Sequence, residues 1–225
     1  MTTLDITPEV RDNPATSSTT RIAGRTAIAG AAGFAVSIAL GTVVAPEEYD
    51  TVRDTISVLA SVDNPHAWIV QAGFLSMAVG LGAAAVGLWQ ARYVSARVAA
   101  GLVAVSAVAM VFAGLNQIAC NPALTECEAF LDAAAPRATV IHGRAAPFVF
   151  APLLLVGFAI ARAMWRRGAR QVSLLMFGVA GLDIALVLLT ENGGTAYSGI
   201  FQRLFALGSM GLPVLAVSLL SGRRA

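Results

Sequence analysis

Charged residues are scarce in this sequence, and lysine is missing from it altogether. Only 12% of the 225 residues are charged, whereas about a quarter are charged in an ordinary soluble domain. This shortage excludes a conventional soluble protein. All fifteen basic residues are arginine, and the formal net charge is only +2, which gives no evidence for a nucleic-acid partner.

Residues that bind metal or haem are also few, since the chain has two cysteines and two histidines. A structural zinc site usually has four ligands, so the cysteine pair alone does not form one. A haem held by two histidines would need His66 and His142. Both are predicted near one membrane surface, and His66 follows Pro65 in a loop. We therefore predict neither a metal nor a cofactor.

Apolar residues dominate instead, at 57% of the chain, with a mean hydropathy of +0.73. They are concentrated in six stretches of about 20 residues, the length at which a helix crosses a bilayer core. We predict an all-α, six-span transmembrane bundle that forms one domain over residues 21–225. The predicted spans are 26–44, 67–89, 98–117, 140–161, 172–190 and 199–220.

The arginines set the predicted orientation, because basic residues near span ends concentrate on the cytoplasmic side. Eleven of the fifteen lie before span one, in every second gap between spans, or after span six. These are Arg11, Arg21, Arg25, Arg92, Arg97, Arg162, Arg166, Arg167, Arg170, Arg223 and Arg224. We therefore expect both termini in the cytoplasm of a bacterium and the spans in its inner membrane.

The first twenty residues are polar, rich in Ser and Thr, and interrupted by Pro8 and Pro14. Such a composition is typical of a disordered segment, so we predict a disordered cytoplasmic tail over residues 1–20. The segment lacks a basic start followed by an apolar core and a small-residue cleavage site. It is therefore not a cleavable signal peptide.

The first outer loop has a helical periodicity. Four apolar residues share one helical face and three polar residues share another, namely Tyr49, Val52, Ile56 and Leu59 against Asp50, Asp54 and Ser57. We predict a short amphipathic helix that lies in the membrane interface. It begins after Pro46 and ends before Pro65, because residues that precede proline avoid the helical region.

Both cysteines, Cys120 and Cys127, fall in the second outer loop. Because disulfides persist outside the cytoplasm, the predicted orientation favours a bridge between them. Two buried free thiols remain the alternative, since the spacing alone does not exclude them.

In span two, Gly73, Gly80 and Gly87 repeat every seven residues and form one stripe, where a neighbouring backbone can approach closely.

Asp183 is the most informative charged residue within the spans, because it lies about 10 Å below the outer end of span five. An unpaired carboxylate is costly there, and Arg144 or Arg203 could reach it, so we predict that it pairs with one of them. Such a pair either fixes which helices are neighbours or lines an outward-facing polar pocket. The candidate pocket residues are Asp54, Ser57, Asn116, Gln117, His142, Arg144, Asp183, Glu191 and Arg203.

The stretch 54–59, DTISVL, followed by Asn64-Pro65 and later by His142-Gly143, resembles the bacterial and archaeal membrane family of domain of unknown function 998. The resemblance covers about residues 26–220. It implies six spans and assigns Asp54, Ser57 and His142 to the family motif. More distantly, the chain is similar to the eukaryotic group that includes fasting-induced autophagy modulators and glycolipid-anchor remodelling factors, which implies a connection with lipids.

These features favour a protein that binds, transports or senses a lipid or other amphiphile, with membrane lipids as partners, over an enzyme. One alternative is a structural accessory subunit, assembled as a homo-oligomer or with a partner membrane protein. The other is an intramembrane lipid hydrolase or transferase, with Ser57 as nucleophile, His142 as base and Asp54 or Asp183 as acid. No glycine-flanked nucleophile turn accompanies Ser57.

The predicted topology determines which positions an impermeant thiol reagent reaches in intact cells. We expect Ser17→Cys and Gly168→Cys to stay unlabelled, because both positions face the cytoplasm. We expect Ala134→Cys to react, because it lies in an outer loop. Labelling of Gly168→Cys from outside would refute the six-span arrangement.

Overall fold

A computed structural model describes residues 14–91, 94–121, 125–166, 168–192 and 195–222. These residues form seven α-helices: α1 (Pro14–Val43), α2 (Ala67–Trp89), α3 (Val94–Leu115), α4 (Thr125–Ala134), α5 (Arg137–Arg166), α6 (Arg170–Asn192) and α7 (Ser198–Gly222). Two 3₁₀ helices, Ile56–Ala60 and Thr195–Tyr197, lie between them. Within these ranges the only β-pairing is an isolated bridge between Ser61 and Ile118.

Six of the helices are long and apolar enough to cross a membrane, which confirms the all-α, multi-pass prediction. The qualifying segments are Ser18–Val43, Ala67–Trp89, Val94–Leu115, Arg137–Arg166, Arg170–Leu189 and Ser198–Ser218. Each presents large apolar side chains on its outer surface, for example Val36, Trp68, Val108, Leu155, Leu182 and Leu207. So much exposed apolar surface is the mark of a protein surrounded by lipid.

The first helix begins earlier than predicted. Residues 14–20, which we assigned to the disordered tail, form the first turns of α1, and residues 1–13 lie outside the described part of the chain. We treated Pro14 as a helix breaker. A proline suits the first position of a helix, however, because the N–H it lacks would have no partner there.

The six long helices pack in a closed ring in the order α1, α2, α3, α5, α6 and α7, with α7 returning to α1. Helix α7 also contacts α2 and α5, so it touches four of the other five long helices. Two serines connect neighbours: Ser76 Oγ donates to the Gly30 carbonyl at 3.2 Å, and Ser173 Oγ donates to the Ala161 carbonyl at 2.7 Å. These bonds join α2 to α1 and α6 to α5.

The glycine stripe on α2 lies at helix contacts, as predicted. A Cβ at Gly73 would lie 2.6 Å from a side-chain atom of α1, and one at Gly87 would lie 2.6 Å from a side-chain atom of α7. Gly80 crosses Gly30 of α1 so closely that a Cβ on Gly30 would lie 2.5 Å from the Gly80 Cα. The small residues therefore let the two backbones approach each other directly.

The predicted amphipathic helix of the first loop is wrong. Only Ile56–Ala60 is helical, as one 3₁₀ helix, and it packs into the bundle with four of its five residues buried. Tertiary hydrogen bonds replace those of a longer α-helix. Gln202 Oε1 of α7 accepts the Ile56 N–H at 2.7 Å, and Asn64 Nδ2 donates to the Leu59 carbonyl at 2.7 Å.

Replacing Gly30 with alanine tests the α1–α2 crossing. The added Cβ would meet the Gly80 Cα and the Ser76 carbonyl oxygen, at 2.6 Å for the latter, and neither backbone atom can move aside alone. We expect Gly30→Ala to destabilise the fold by about 1 to 3 kcal/mol, the usual cost of overpacking, measured by thermal unfolding in detergent. Gly82→Ala is the matched control, because a Cβ there meets nothing within 4 Å. Equal midpoints for the two variants would argue against the close crossing.

Candidate functional site

Arg203 of α7 holds the first loop against the bundle. Its Nη1 donates to the carbonyl oxygens of Thr51 at 2.9 Å, Asp54 at 3.0 Å and Gly199 at 2.9 Å. Its Nη2 donates to the Tyr49 hydroxyl, and the guanidinium lies 5.8 Å from the centroid of the Tyr49 ring. We call these five residues the Arg203 cluster. All the acceptors are neutral, so the cation is satisfied without a carboxylate.

Asp54 belongs to this loop, and its side chain is buried, with 1% of the residue exposed. Its carboxylate accepts hydrogen bonds from Arg53 Nε at 2.7 Å, the Asp50 N–H at 2.9 Å and Asn121 Nδ2 at 3.1 Å. Burial by itself raises the pKa of Asp54, but these hydrogen bonds and the Arg53 charge outweigh it and hold the pKa below its usual value. Because Asn121 belongs to the second loop, Asp54 joins the two loops.

The predicted ion pair of Asp183 is wrong. Asp183 is 1% exposed, and its Oδ2 has no hydrogen-bond partner among the described residues. The reason is rotational. Gly208 of α7 packs directly against the Asp183 carboxylate, whereas Arg203, five residues earlier, lies about 140° away around the same helix. The other predicted partner, Arg144, is exposed on the outer surface of α5.

Ser57 and His142 share an internal cavity of about 30 Å³, whose third polar residue is Gln202. His142 is 4% exposed, and its Nδ1 lies 2.9 Å from the carbonyl oxygens of Ala113 and Asn116. Carbonyl oxygens only accept, so we assign the proton to Nδ1 and the lone pair to Nε2. The cavity has room for about one water molecule, and none for a lipid.

The catalytic triad of the hydrolase alternative is not assembled. Neither Asp54 nor Asp183 lines the cavity that holds Ser57 and His142. The His142 nitrogen that a carboxylate would orient is bonded to backbone carbonyls instead. A nucleophile–base pair of this kind relies on a third group to orient the base and stabilise its cation. Neither of the two aspartates proposed for the hydrolase alternative is in position to act as that group.

Arg144 lies in a groove between α3 and α5. The groove has a volume of about 580 Å³, and its other walls are apolar, including Val105, Val108, Phe112 and Phe148. Arg144 is exposed and makes no hydrogen bond or ion pair with the described residues. It is therefore a cation on the lipid-facing surface without a partner in that part of the chain.

The remaining candidate residues do not join a common pocket. Asn116 is half-buried, and its side chain donates to the Phe112 carbonyl at 2.8 Å. Gln117 is half-buried at the end of α3, and the Glu191 side chain lies outside the described residues. His66, considered for haem, is exposed at the start of α2. The other six candidates are divided among four places. Asp54 and Arg203 lie in the Arg203 cluster, Ser57 and His142 line the internal cavity, Asp183 lies at the α6–α7 contact, and Arg144 lies in the α3–α5 groove.

Cys120 and Cys127 form the predicted disulfide, with their Cα atoms 5.7 Å apart. The segment around the bridge is fixed on two sides. The Ala119 N–H donates to Thr139 Oγ1 of α5 at 2.9 Å, and the Val62 N–H of the first loop donates to the Ile118 carbonyl at 3.0 Å. The disulfide therefore stabilises a structured end of the bundle, which we call the loop end.

Sequence reasoning missed the partners of these charges. Tyr49 was assigned to an apolar helical face, yet its hydroxyl accepts a hydrogen bond from Arg203. Gln202 was not singled out, although two successive polar residues near the end of an apolar span, Gln202 and Arg203, are a usable signal of a polar contact. Arg53 was not singled out either, although it forms an ion pair with Asp54 at 2.7 Å.

The fold and its buried polar contacts define a six-span helical membrane protein with structured loops at one end. The family profile described as protein of unknown function (DUF998) matches residues 28–219, so the chain belongs to this family. No curated protein and no solved structure matches it. The family resemblance predicted from the 54–59 and His142-Gly143 motifs is therefore confirmed.

The lowered pKa of Asp54 predicts how the loop end responds to acid. Such a group stabilises the fold above its unfolded pKa, about 3.9, and the contribution is lost as the pH falls through the lower folded value. We expect Asp54→Asn to lower the thermal midpoint at pH 7, since it removes hydrogen bonds to a charged acceptor, each about 1.5 to 3 kcal/mol. The difference from the parent should shrink as the pH falls below about 4.

Asp63→Asn provides the matched control for this experiment, because it removes an exposed carboxylate from the same loop. We expect it to leave the midpoint close to that of the parent at every pH. If the effect of Asp54→Asn is the same at pH 7 and at pH 3, ionised Asp54 does not stabilise the loop end.

Proposed function

We propose that this protein binds a lipid with an anionic headgroup in the groove between α3 and α5. The observation that carries the proposal is Arg144, an exposed arginine with no partner among the described residues. This site replaces the single outward-facing pocket predicted from the sequence. The polar candidates are dispersed, and the internal cavity of about 30 Å³ is too small for a lipid.

The depth of Arg144 supports a lipid ligand. It lies four residues inside the predicted fourth span, 140–161, about 6 Å from the start of that span at 1.5 Å per residue. A cation at that depth on the outer surface is costly unless it reaches an anion or the interface. An arginine can lay its methylene groups along apolar surface while its guanidinium extends to a polar partner. A phosphate supplies the oxygens that a guanidinium binds in pairs.

The groove supplies the apolar half of the site. Its volume of about 580 Å³ falls within the range of small-molecule sites, about 300 to 1,000 Å³. Lipid tails are as apolar as leucine, so seating an acyl chain against Val108, Phe112 and Phe148 adds little hydrophobic energy in a membrane. The shape of the groove determines which acyl chain fits, and the affinity comes mainly from the contact between Arg144 and the headgroup.

The accessory-subunit alternative has less support. A stripe of small residues such as the one on α2 can serve contacts with another subunit, but Gly73, Gly80 and Gly87 all contact helices of the same chain. The distant eukaryotic resemblance that we inferred from the sequence would also fit a lipid ligand. Insertion in a bacterial inner membrane with cytoplasmic termini belongs to the same proposal, and it would place the Arg144 groove in the outer half of the bilayer.

Replacing Arg144 with glutamine tests the proposal. The change removes the charge but keeps a polar, hydrogen-bonding side chain. A hydrogen bond to a charged group contributes about 1.5 to 3 kcal/mol, and 1.4 kcal/mol is tenfold in affinity. We therefore expect Arg144→Gln to weaken phosphatidylglycerol binding about tenfold or more in a titration followed by native mass spectrometry.

Arg137→Gln is the matched control, because Arg137 is an exposed arginine at the start of the same helix and does not line the groove. We expect this variant to bind phosphatidylglycerol like the parent. For phosphatidylcholine, we expect the affinities of the parent and of Arg144→Gln to differ far less. Equal loss in both variants would mean that general charge, and not the groove, attracts the lipid. Unchanged binding by Arg144→Gln would eliminate the site.

A further inference from the structure

A second groove lies at the other end of α5, where this helix meets α6. Its volume is about 680 Å³, and its walls are Phe158, Arg162, Trp165, Arg166 and Phe177. Arg162 is eighteen residues from Arg144, so the two arginines are about 27 Å apart along the helix. That separation is close to the thickness of a bilayer core, about 30 Å. The two grooves therefore lie near opposite membrane surfaces.

The turn between α5 and α6 fixes one wall of this groove. Gly168 has a φ of +79°, a conformation that favours glycine. The Gly168 N–H donates to the Trp165 carbonyl at 2.9 Å, and the Ala169 N–H donates to the Met164 carbonyl at 3.1 Å. The Arg170 guanidinium lies 5.7 Å from the centroid of the Trp165 ring. This contact holds Trp165, which forms one wall of the groove.

Arg162 and Arg166 give the groove its chemistry. They are four residues apart, so they project from one face of α5 with their Cβ atoms about 6 Å apart. Both are exposed, and neither makes a hydrogen bond or an ion pair with any residue that the structure describes. Two like charges this close repel each other, and an anion bound between them would remove that cost.

We propose that this groove binds a diphosphatidyl lipid, a phospholipid whose headgroup carries two phosphates joined by glycerol. Two phosphates match two guanidinium groups, whereas a single phosphate would leave one cation uncompensated. The acyl chains would lie on Phe158 and Phe177, whose rings are 5.9 Å apart. Trp165 sits where tryptophan is enriched, at the membrane–water interface. Basic pockets between membrane helices commonly hold such headgroups.

This site does not depend on the Arg144 groove, because the two grooves share no residue. The test therefore uses full-length protein in which Arg144→Gln has already removed the other site. Native mass spectrometry in detergent measures the binding of tetraoleoyl cardiolipin and of dioleoyl phosphatidylglycerol. We expect cardiolipin to bind about tenfold more tightly. We expect Arg162→Gln with Arg166→Gln to lower cardiolipin affinity to the level of phosphatidylglycerol.

Arg97→Gln is the control, because it removes an exposed arginine from α3 at the same end of the bundle. It is expected to leave cardiolipin affinity unchanged. The proposal is overturned if the double glutamine variant binds cardiolipin like its background, or if phosphatidylglycerol binds as tightly as cardiolipin. Should the glutamine pair fail to fold, Arg162→Lys with Arg166→Lys decides the matter. Lysine lacks the paired donors of a guanidinium, so weaker cardiolipin binding is expected and equal binding overturns the proposal.

Discussion

The cost of placing a charge in hydrocarbon determines where the charged side chains of this protein lie. Arg203 meets that cost within the protein, by donating to backbone carbonyls and to Tyr49. These bonds hold the first loop against the end of the bundle, where the side chain of Asp54, a residue of the same loop, is buried. Asp54 is then satisfied by Arg53 and by Asn121 of the second loop. The structure of the loop end thus depends on one satisfied cation.

Helix α5 illustrates a second way to meet the same cost. Arg144, Arg162 and Arg166 have no partner in the described part of the chain, and each lies in a groove whose remaining walls are mostly apolar. A long apolar helix with cations near both ends is suited to a bilayer, whose phosphates lie at both surfaces. We propose that lipid phosphates accept the hydrogen bonds of these arginines, as carbonyl oxygens accept those of Arg203.

Hydropathy predicted the spans well, because lipid imposes the same length and composition on each. Helix α2 has its predicted bounds, Ala67–Trp89. The surroundings of Asp183 could not be predicted in this way. The sequence gives the depth of a residue along its helix, but not the rotation of the helix about its axis. Packing sets that rotation and turns Gly208 towards Asp183. Periodicity failed in the first loop because it reports local preference, whereas Gln202, 146 residues away, binds the Ile56 backbone. The grooves depend on which helix faces lack a partner, which only the packed bundle reveals.

Solid-state NMR in phosphatidylglycerol bilayers tests the central claim that lipid phosphate is the partner of Arg144. Arginine labelled with ¹⁵N and ¹³C reports, through recoupling to ³¹P, which guanidinium groups are in hydrogen-bonding contact with phosphate. We predict a ³¹P contact that disappears in Arg144→Gln and persists in Arg137→Gln. A spectrum in which Arg144→Gln removes no phosphate contact would contradict the account, because the cation would then have another partner.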